Sequence, residues 1–273
     1  MSKKIIQDKR LKYGTLSNMN DACENSKCIY NDYSSQNDEF ICDDIKAEIY
    51  KYRQLSLSED KKGSGRRGFD LQQMWGLYAD GGFGACLVFD KDELLKSLPE
   101  TAICNSVSYV PEITSDTFTC IRNGNEIEAD VKECAPMLLF TKRKEWEHEQ
   151  EFRIVNKFKN TEGDEFLDVT DSLKYIILNN AKSVELQSSN DRGSILKSPE
   201  YNEIRQILPK GVKILVYASF AGEQSLIYYD ENEQETYWNC SEKLPTEIVT
   251  IDINPLTHSI NQTRPIKTNL YDN

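Results

Sequence analysis

The sequence predicts an α+β fold, with a largely antiparallel sheet flanked by helices in a single large domain. Three observations predict it. Short strand-like runs and short amphipathic helices mix without regular βαβ alternation. No phosphate-binding glycine fingerprint opens any of the helices. The 273 residues include 27 aromatics (10 Phe, 14 Tyr, 3 Trp), more than a disordered chain carries, and the length is enough to bury a sizeable core. Residues 1–254 are expected to form the domain and 255–273 an extended tail.

The elements follow in order. Residues 20–45 are rich in Asn, Asp and Ser and read as loop or short helix. YKYRQLSLS (50–58) has strand character, and KKGSGRRG (61–68) is a loop by its glycines. In DLQQMWGLYA (70–79), Leu71, Met74, Trp75 and Tyr78 recur at spacings of three and four, the mark of an amphipathic helix. Asp70 is placed to cap it and Gly81-Gly82 to end it. ACLVFD (85–90) is a continuous apolar run, hence a buried strand, and KDELLKSL (91–98) a short helix stopped by Pro99. ICNSVSYV (103–110) alternates as a strand does. EADVKECAPMLLFTKRKEW (128–146) has a helical pattern with Pro136 at a start or kink. EFRIV (151–155) and LKYIILN (173–179) read as strands. SPEYNEIRQILP (198–209) reads as a helix with Ser198 at its N-cap and Pro199 at its first position. VKILVYA (212–218) and SLIYYD (225–230) read as strands.

Charge and composition exclude several functions. A net charge of −12 opposes non-specific binding to nucleic acid or to an anionic membrane, because phosphate binding depends on Lys and Arg. The basic run at 61–67 is the one candidate patch, and a solvated loop is its plainer reading. MSKKIIQDKRLKYG has no apolar segment of a secretory signal, and no run approaches a membrane span of ~18 apolar residues. A cytoplasmic setting is therefore expected, with the eight cysteines (Cys23, Cys28, Cys42, Cys86, Cys104, Cys120, Cys134, Cys240) as reduced thiols. None form a CxxC pair, and the histidines are only His148 and His258. Structural zinc is not expected, nor is a serine or cysteine triad, for there is no GxSxG elbow.

The most informative stretch is KEWEHEQEFRIV (144–155). In a strand, Glu149, Glu151 and Arg153 would share one face, because alternate residues do. Two readings stay open. One is an internal ion pair that holds the fold. The other is a catalytic carboxylate with a helper. Trp146 can stack a base or nicotinamide ring, or fill the core. Trp75 and Tyr78 lie on the apolar stripe of their helix, where core is the plainer reading of aromatics at that spacing. Asn20 and Asp21, with Glu24, are loop residues that can form local turns or line a ligand site. Arg53, Arg66 and Arg67 are the candidates to grip a pyrophosphate, since guanidinium binds it bidentately.

Three stretches occur together in order: LSNMNDACE (16–24), QMWGLYADGGFGACLVFD (73–90) and TKRKEWEHEQEFRIV (141–155). The first resembles a motif written Asn-Asp-Pro-Phe-Glu. The second is similar to a Met-Trp-x-x-Tyr-Ala…Gly-x-Cys-hydrophobic-Phe-Asp block. The third is similar to a Lys…Trp-x-x-Glu-x-Glu-x-Arg block. Over roughly residues 9–240 the chain thus resembles the bacterial domain-of-unknown-function family 2971. The resemblance implies a distant likeness to ADP-ribosyltransferase folds, which set a Glu-x-Glu pair beside a serine-rich strand at the nicotinamide. By that analogy Glu151 is the main catalytic residue, Glu149 its helper, and Ser56 and Ser58 line the pocket. NAD is then the co-substrate, no metal is expected, and the setting is a toxin or phage-defence effector with an unidentified protein target. Two departures stand out. Ala22-Cys23 replaces Pro-Phe, and the family's opening strand with its Tyr-Arg pair is expected to be missing here.

Two alternatives come from other classes. One is a non-catalytic module that binds a small nucleotide or a protein partner. The other is a nuclease-like enzyme with Asp21, Glu24, Glu149 and Glu151 around magnesium, a cation that suits carboxylate oxygens.

Overall fold

The computed structural model describes residues 2–15, 47–60, 67–79, 84–111, 136, 138–158, 165–179, 199–220, 223–229, 235–238 and 248–253. The expected 20–45 loop, the 255–273 tail and most of the 61–68 loop lie outside the described residues, as does the 128–135 part of the expected helix.

The chain runs α1 (Ser2–Asp8), β1 (Arg10–Lys12), β2 (Tyr52–Glu59), a 3-10 turn (Gly68–Asp70), α2 (Gln72–Leu77), β3 (Ala85–Asp90), α3 (Lys91–Lys96), β4 (Ala102–Ser106), β5 (Ser108–Val110) and β6 (Thr141–Arg143). A second 3-10 turn (Lys144–Glu149) leads into β7 (Glu151–Lys157). Then come β8 (Phe166–Asp168), β9 (Leu173–Asn179), α4 (Pro199–Ile207), β10 (Lys213–Phe220), β11 (Glu223–Tyr229), β12 (Glu235–Trp238) and β13 (Ile248–Ile253). The fold is α+β. Its main sheet has the order β12-β11-β10-β9-β3-β13-β2-β7-β4. The β9–β10 pair is parallel and every other pair in that sheet is antiparallel. The parallel pair is the one joined through a helix, α4, as a parallel connection requires. Two small sheets, β1–β8 antiparallel and β5–β6 parallel, complete the strands.

Strand alternation divides the main sheet between two cores. Leu87 and Phe89 of β3 join Leu55, Leu57, Phe152 and Ile154 in the larger one, which α1 closes with Ile5 and Ile6 and α4 with Tyr201 and Ile204. Cys86 and Val88 point the other way, into a smaller core with Phe69, Trp75, Ile177 and Tyr217. Burial on both faces explains why ACLVFD reads as an unbroken apolar run. On the second face the first 3-10 turn lies flat against the sheet. A Cβ at Gly68 would stand 2.8 Å from Thr250 Oγ1 and 3.0 Å from the Ser58 carbonyl oxygen, so only glycine lets the turn approach so closely.

Local chemistry fixes the helix ends. The Asp90 carboxylate accepts from the Glu93 N–H at 3.0 Å and caps α3, whose first turn carries Asp92 and Glu93 and whose last carries Lys96. Pro199 does open α4, while Ser198 lies outside the described residues.

Three elements differ from the sequence reading. Asp70 does not cap α2. It ends the 3-10 turn and accepts from the Arg67 N–H at 3.0 Å, and α2 starts after Leu71. The 103–110 strand is divided at Val107 between β4 and β5, which belong to different sheets. The expected helix through 146 stops near Leu139, and β6 and the second 3-10 turn take its place. Burial of Thr141 and Lys142 in a strand, driven by tertiary pairing, overrides the helical propensity of TKRKEW. Among the described residues, no helix is long and apolar enough to cross a membrane.

Candidate functional site

The β2–β7 register sets Ser58 opposite Glu151 and Ser56 opposite Arg153. Directly opposed residues of an antiparallel pair share a face. Ser56, Ser58, Glu151 and Arg153 therefore occupy one face, while Leu55, Leu57, Phe152 and Ile154 pack into the core on the other.

Glu149 reaches the same place by a different route from the one the sequence suggests. It is not a strand residue. It closes the second 3-10 turn, and Gln150 turns the chain in the left-handed conformation (φ 45°, ψ 53°) before β7 begins at Glu151. The two carboxylates thus converge through a turn, not through strand alternation. They meet on Lys142 of β6, whose Nζ lies 2.5 Å from Glu149 Oε2 and 3.5 Å from Glu151 Oε2.

Arg153 holds Glu151 from the other side. Its Nε donates to Oε1 and its NH2 to Oε2, both at 2.7 Å, and its NH1 donates to the Leu139 carbonyl oxygen. Ser56, on the same face, adds to the contacts that keep the Glu151 carboxyl ionised. Tyr78, just past α2, donates its hydroxyl hydrogen to Glu149 Oε1 at 2.5 Å. The Tyr109 hydroxyl oxygen accepts from the Glu151 backbone N–H at 2.8 Å. Lys142, Glu149, Glu151 and Arg153 are all buried, with Arg153 only 1% exposed. Two cations balance two carboxylates, the condition under which charges persist in an interior.

Burial works to protonate Glu151. The Arg153 guanidinium and the Lys142 ammonium outweigh it and hold the carboxyl down to about 2. Tyr109 moves in the opposite direction: burial, reinforced by the facing Glu151 and Glu149 charges, pushes its phenol far above its ordinary range.

The remaining sequence-derived candidates are dispersed. Trp146 is half-buried on the second 3-10 turn, with Lys142 Nζ 4.6 Å from its ring centre and the His148 ring 6.0 Å away at 25°. It borders the cluster. Trp75 does not. It is a core residue, with its indole N–H donating to the Phe69 carbonyl at 2.8 Å and its ring stacked on Tyr217. Arg53 lies on the opposite face of β2 from Ser56, and its NH1 is 3.5 Å from the Tyr50 carbonyl. Arg67 forms an ion pair with Asp60 at 3.1 Å. Neither arginine joins the cluster. Asn20, Asp21, Glu24, Arg66 and Gly81-Gly82 lie outside the described residues. Among the described residues, no three His, Cys, Asp or Glu side chains gather as metal ligands.

Sequence reasoning passed over Lys142 and Tyr109. The lysine that begins the third block was the available signal for the first. For Tyr109 there was none, since its role depends on the pairing of β5 with β6.

Residues 74–154 match the family model described as protein of unknown function, DUF2971. The matched segment runs from within α2 to within β7 and contains Tyr78, Tyr109, Lys142, Trp146, Glu149, Glu151 and Arg153. Ser56 and Ser58 precede it. The match bears out the resemblance on the second and third blocks, and the first block precedes it. No curated protein and no solved structure matches the chain.

Proposed function

We propose that the matched segment, with β2, forms a site that binds NAD and transfers its ADP-ribose to a protein acceptor, in a toxin or phage-defence setting. The observation that carries this reading is the β2–β7 register, which sets Ser58 opposite Glu151 and Ser56 opposite Arg153 on one face. It sets the serines of β2 on the face of the second carboxylate of the Glu-x-Glu pair, and Glu149 is linked to that carboxylate through Lys142. In this reaction the nicotinamide–ribose bond breaks and its electron pair leaves on the nicotinamide. Positive charge spreads over the ribose C1′ and ring oxygen. A carboxylate that stays ionised, as Glu151 does, is suited to stabilise that charge. The acceptor then bonds to C1′ and releases its proton, for which Glu149 is the nearby base.

The test is nicotinamide release and label transfer from labelled NAD by the full chain, alone and with cell lysate, beside Glu151→Gln and Glu149→Gln. Turnover that falls at least ~100-fold in either variant supports the assignment. Turnover retained in both overturns it.

One observation favours a second reading, a non-catalytic nucleotide-binding module. Both oxygens of Glu151 are engaged by Arg153 in a buried pair, which is also how a fold-holding charge is built. A rise in melting temperature with NAD or another nucleotide, without turnover, would select it.

A further inference from the structure

The Glu149–Glu151 pair depends on a residue from a separate small sheet. β5 and β6 pair in parallel with Tyr109 opposite Lys142, so both side chains leave the same face of that two-stranded unit. Both end on the cluster, Tyr109 at the Glu151 N–H and Lys142 at the two carboxylates. Arg143, next along β6, is exposed. Thr141 and Lys142 are the buried residues of β6, and Lys142 is the charged one.

Among the described residues, the contacts of Arg153 run to Glu151 and Leu139. Its Nε and NH2 are directed to Glu151 and its NH1 to the Leu139 carbonyl. Glu149 receives the Tyr78 hydroxyl on one oxygen and Lys142 on the other. Two buried carboxylates this close repel unless a cation lies between them. Lys142 is that cation, and the Trp146 ring, 4.6 Å from its ammonium, covers it.

We propose that Lys142 is the positioning residue of this site: its ammonium, delivered by the β5–β6 pair, holds Glu149 against Glu151 and so sets where the two carboxylates act together. The proposal rests on the NAD reading for its catalytic consequence, though the Lys142–Glu149 link itself is measurable without turnover. Lys142 acts through Glu149. Its removal should therefore lower kcat and leave KM for NAD nearly unchanged. Removal of both residues should cost no more than removal of one.

The experiment uses the full chain as wild type, Lys142→Gln, Lys142→Arg, Glu149→Gln and the Lys142→Gln/Glu149→Gln double variant. Expected are a kcat at least ~10-fold lower in Lys142→Gln, recovery to within a few-fold in Lys142→Arg, and a double variant no worse than Glu149→Gln alone. Additive losses overturn the proposal, as does an unchanged kcat in Lys142→Gln. Additive losses are what a purely structural lysine gives.

A second readout separates this proposal from the NAD reading. In the 15N spectrum of the lysine side chains, the Lys142 ammonium should be slow to exchange in wild type and in Glu151→Gln, and broadened in Glu149→Gln. If wild type does not consume NAD, the NAD reading fails and this signal alone decides for or against Lys142. A Lys142 signal unaltered by Glu149→Gln, or already exchange-broadened in wild type, overturns the proposal. If Lys142→Gln fails to fold, Lys142→Arg and this spectrum decide on the same terms.

Discussion

Arg153 grips Glu151, two residues before it on the same strand, through two parallel contacts of 2.7 Å, Nε to Oε1 and NH2 to Oε2. A strand neighbour at spacing two projects from the same face, so the fork and the carboxylate meet with no help from another element. What another element adds is the Leu139 carbonyl, which takes NH1 and fastens β7 to the segment before β6. The pair is buried, so loss of either partner strands a charge in the interior.

Removing the guanidinium should be far more damaging than removing an exposed charge. Arg153→Met leaves Glu151 buried with Lys142 3.5 Å away as its nearest cation, and the Leu139 carbonyl loses its donor. Breaking one side of a buried pair costs about 3–5 kcal/mol. Arg153→Lys should recover only part of this, because an ammonium cannot reproduce the fork and reach Leu139 as well. Urea unfolding of the two variants beside wild type measures both. A loss under ~1 kcal/mol in Arg153→Met, the range of surface pairs, would show that Glu151 is not held as described.

The same pair makes stability depend on acid. Glu151 titrates near 2 in the folded chain, below the ordinary 4.5. Between those values the unfolded chain binds the extra proton, so stability rises with pH across that interval. The contribution is fully present above about 4.5 and is lost as pH falls through that window towards 2. Glu151→Gln removes a titrating group with the depressed value. Its stability should be lower at neutral pH and should fall less steeply between pH ~4.5 and ~2. Melting temperature against pH for the two proteins is the measurement, and parallel acid limbs would contradict the assignment.

Much of this arrangement is legible in the sequence because it is local. Glu151 and Arg153 share a face by spacing alone, and ACLVFD announces a strand covered on both sides. Pro99 stands two residues past the Ser97 C-cap of α3, where the sequence predicts the helix to stop. The parts that were not legible depend on partners distant in the chain. Six residues, IVTIDI, form β13 between β2 and β3 at the centre of the sheet, yet nothing near them signals that place. Lys142 looks like one basic residue among several in TKRKEW, and only the pairing of β5 with β6 makes it the inward one. Trp75 and Tyr78 show the reverse problem. They share one helical stripe in the sequence. The short α2 ends between them, so Trp75 enters the core while Tyr78 reaches Glu149. Periodicity locates a face but does not say what stands opposite.

Gln150 separates the two glutamates, and its backbone decides whether they meet. It is held at φ 45° by two hydrogen bonds: its N–H donates to the Glu147 carbonyl at 3.2 Å, and its own carbonyl accepts from the Glu59 N–H at 2.8 Å. Left-handed backbone costs an L-residue roughly 1–2 kcal/mol, which glycine avoids and a β-branched residue feels most. Gln150→Gly should therefore leave stability within ~1 kcal/mol of wild type, since relieved strain offsets the added freedom of the unfolded chain. Gln150→Val should lose at least ~1–2 kcal/mol. It should also draw Glu149 off Lys142, because relaxing to negative φ rotates the 3-10 turn against β7. Urea unfolding gives the first quantity, and the exchange rate of the Lys142 ammonium the second. If Gln150→Val proves as stable as Gln150→Gly and Lys142 exchanges no faster, the left-handed turn is not what brings the carboxylates together.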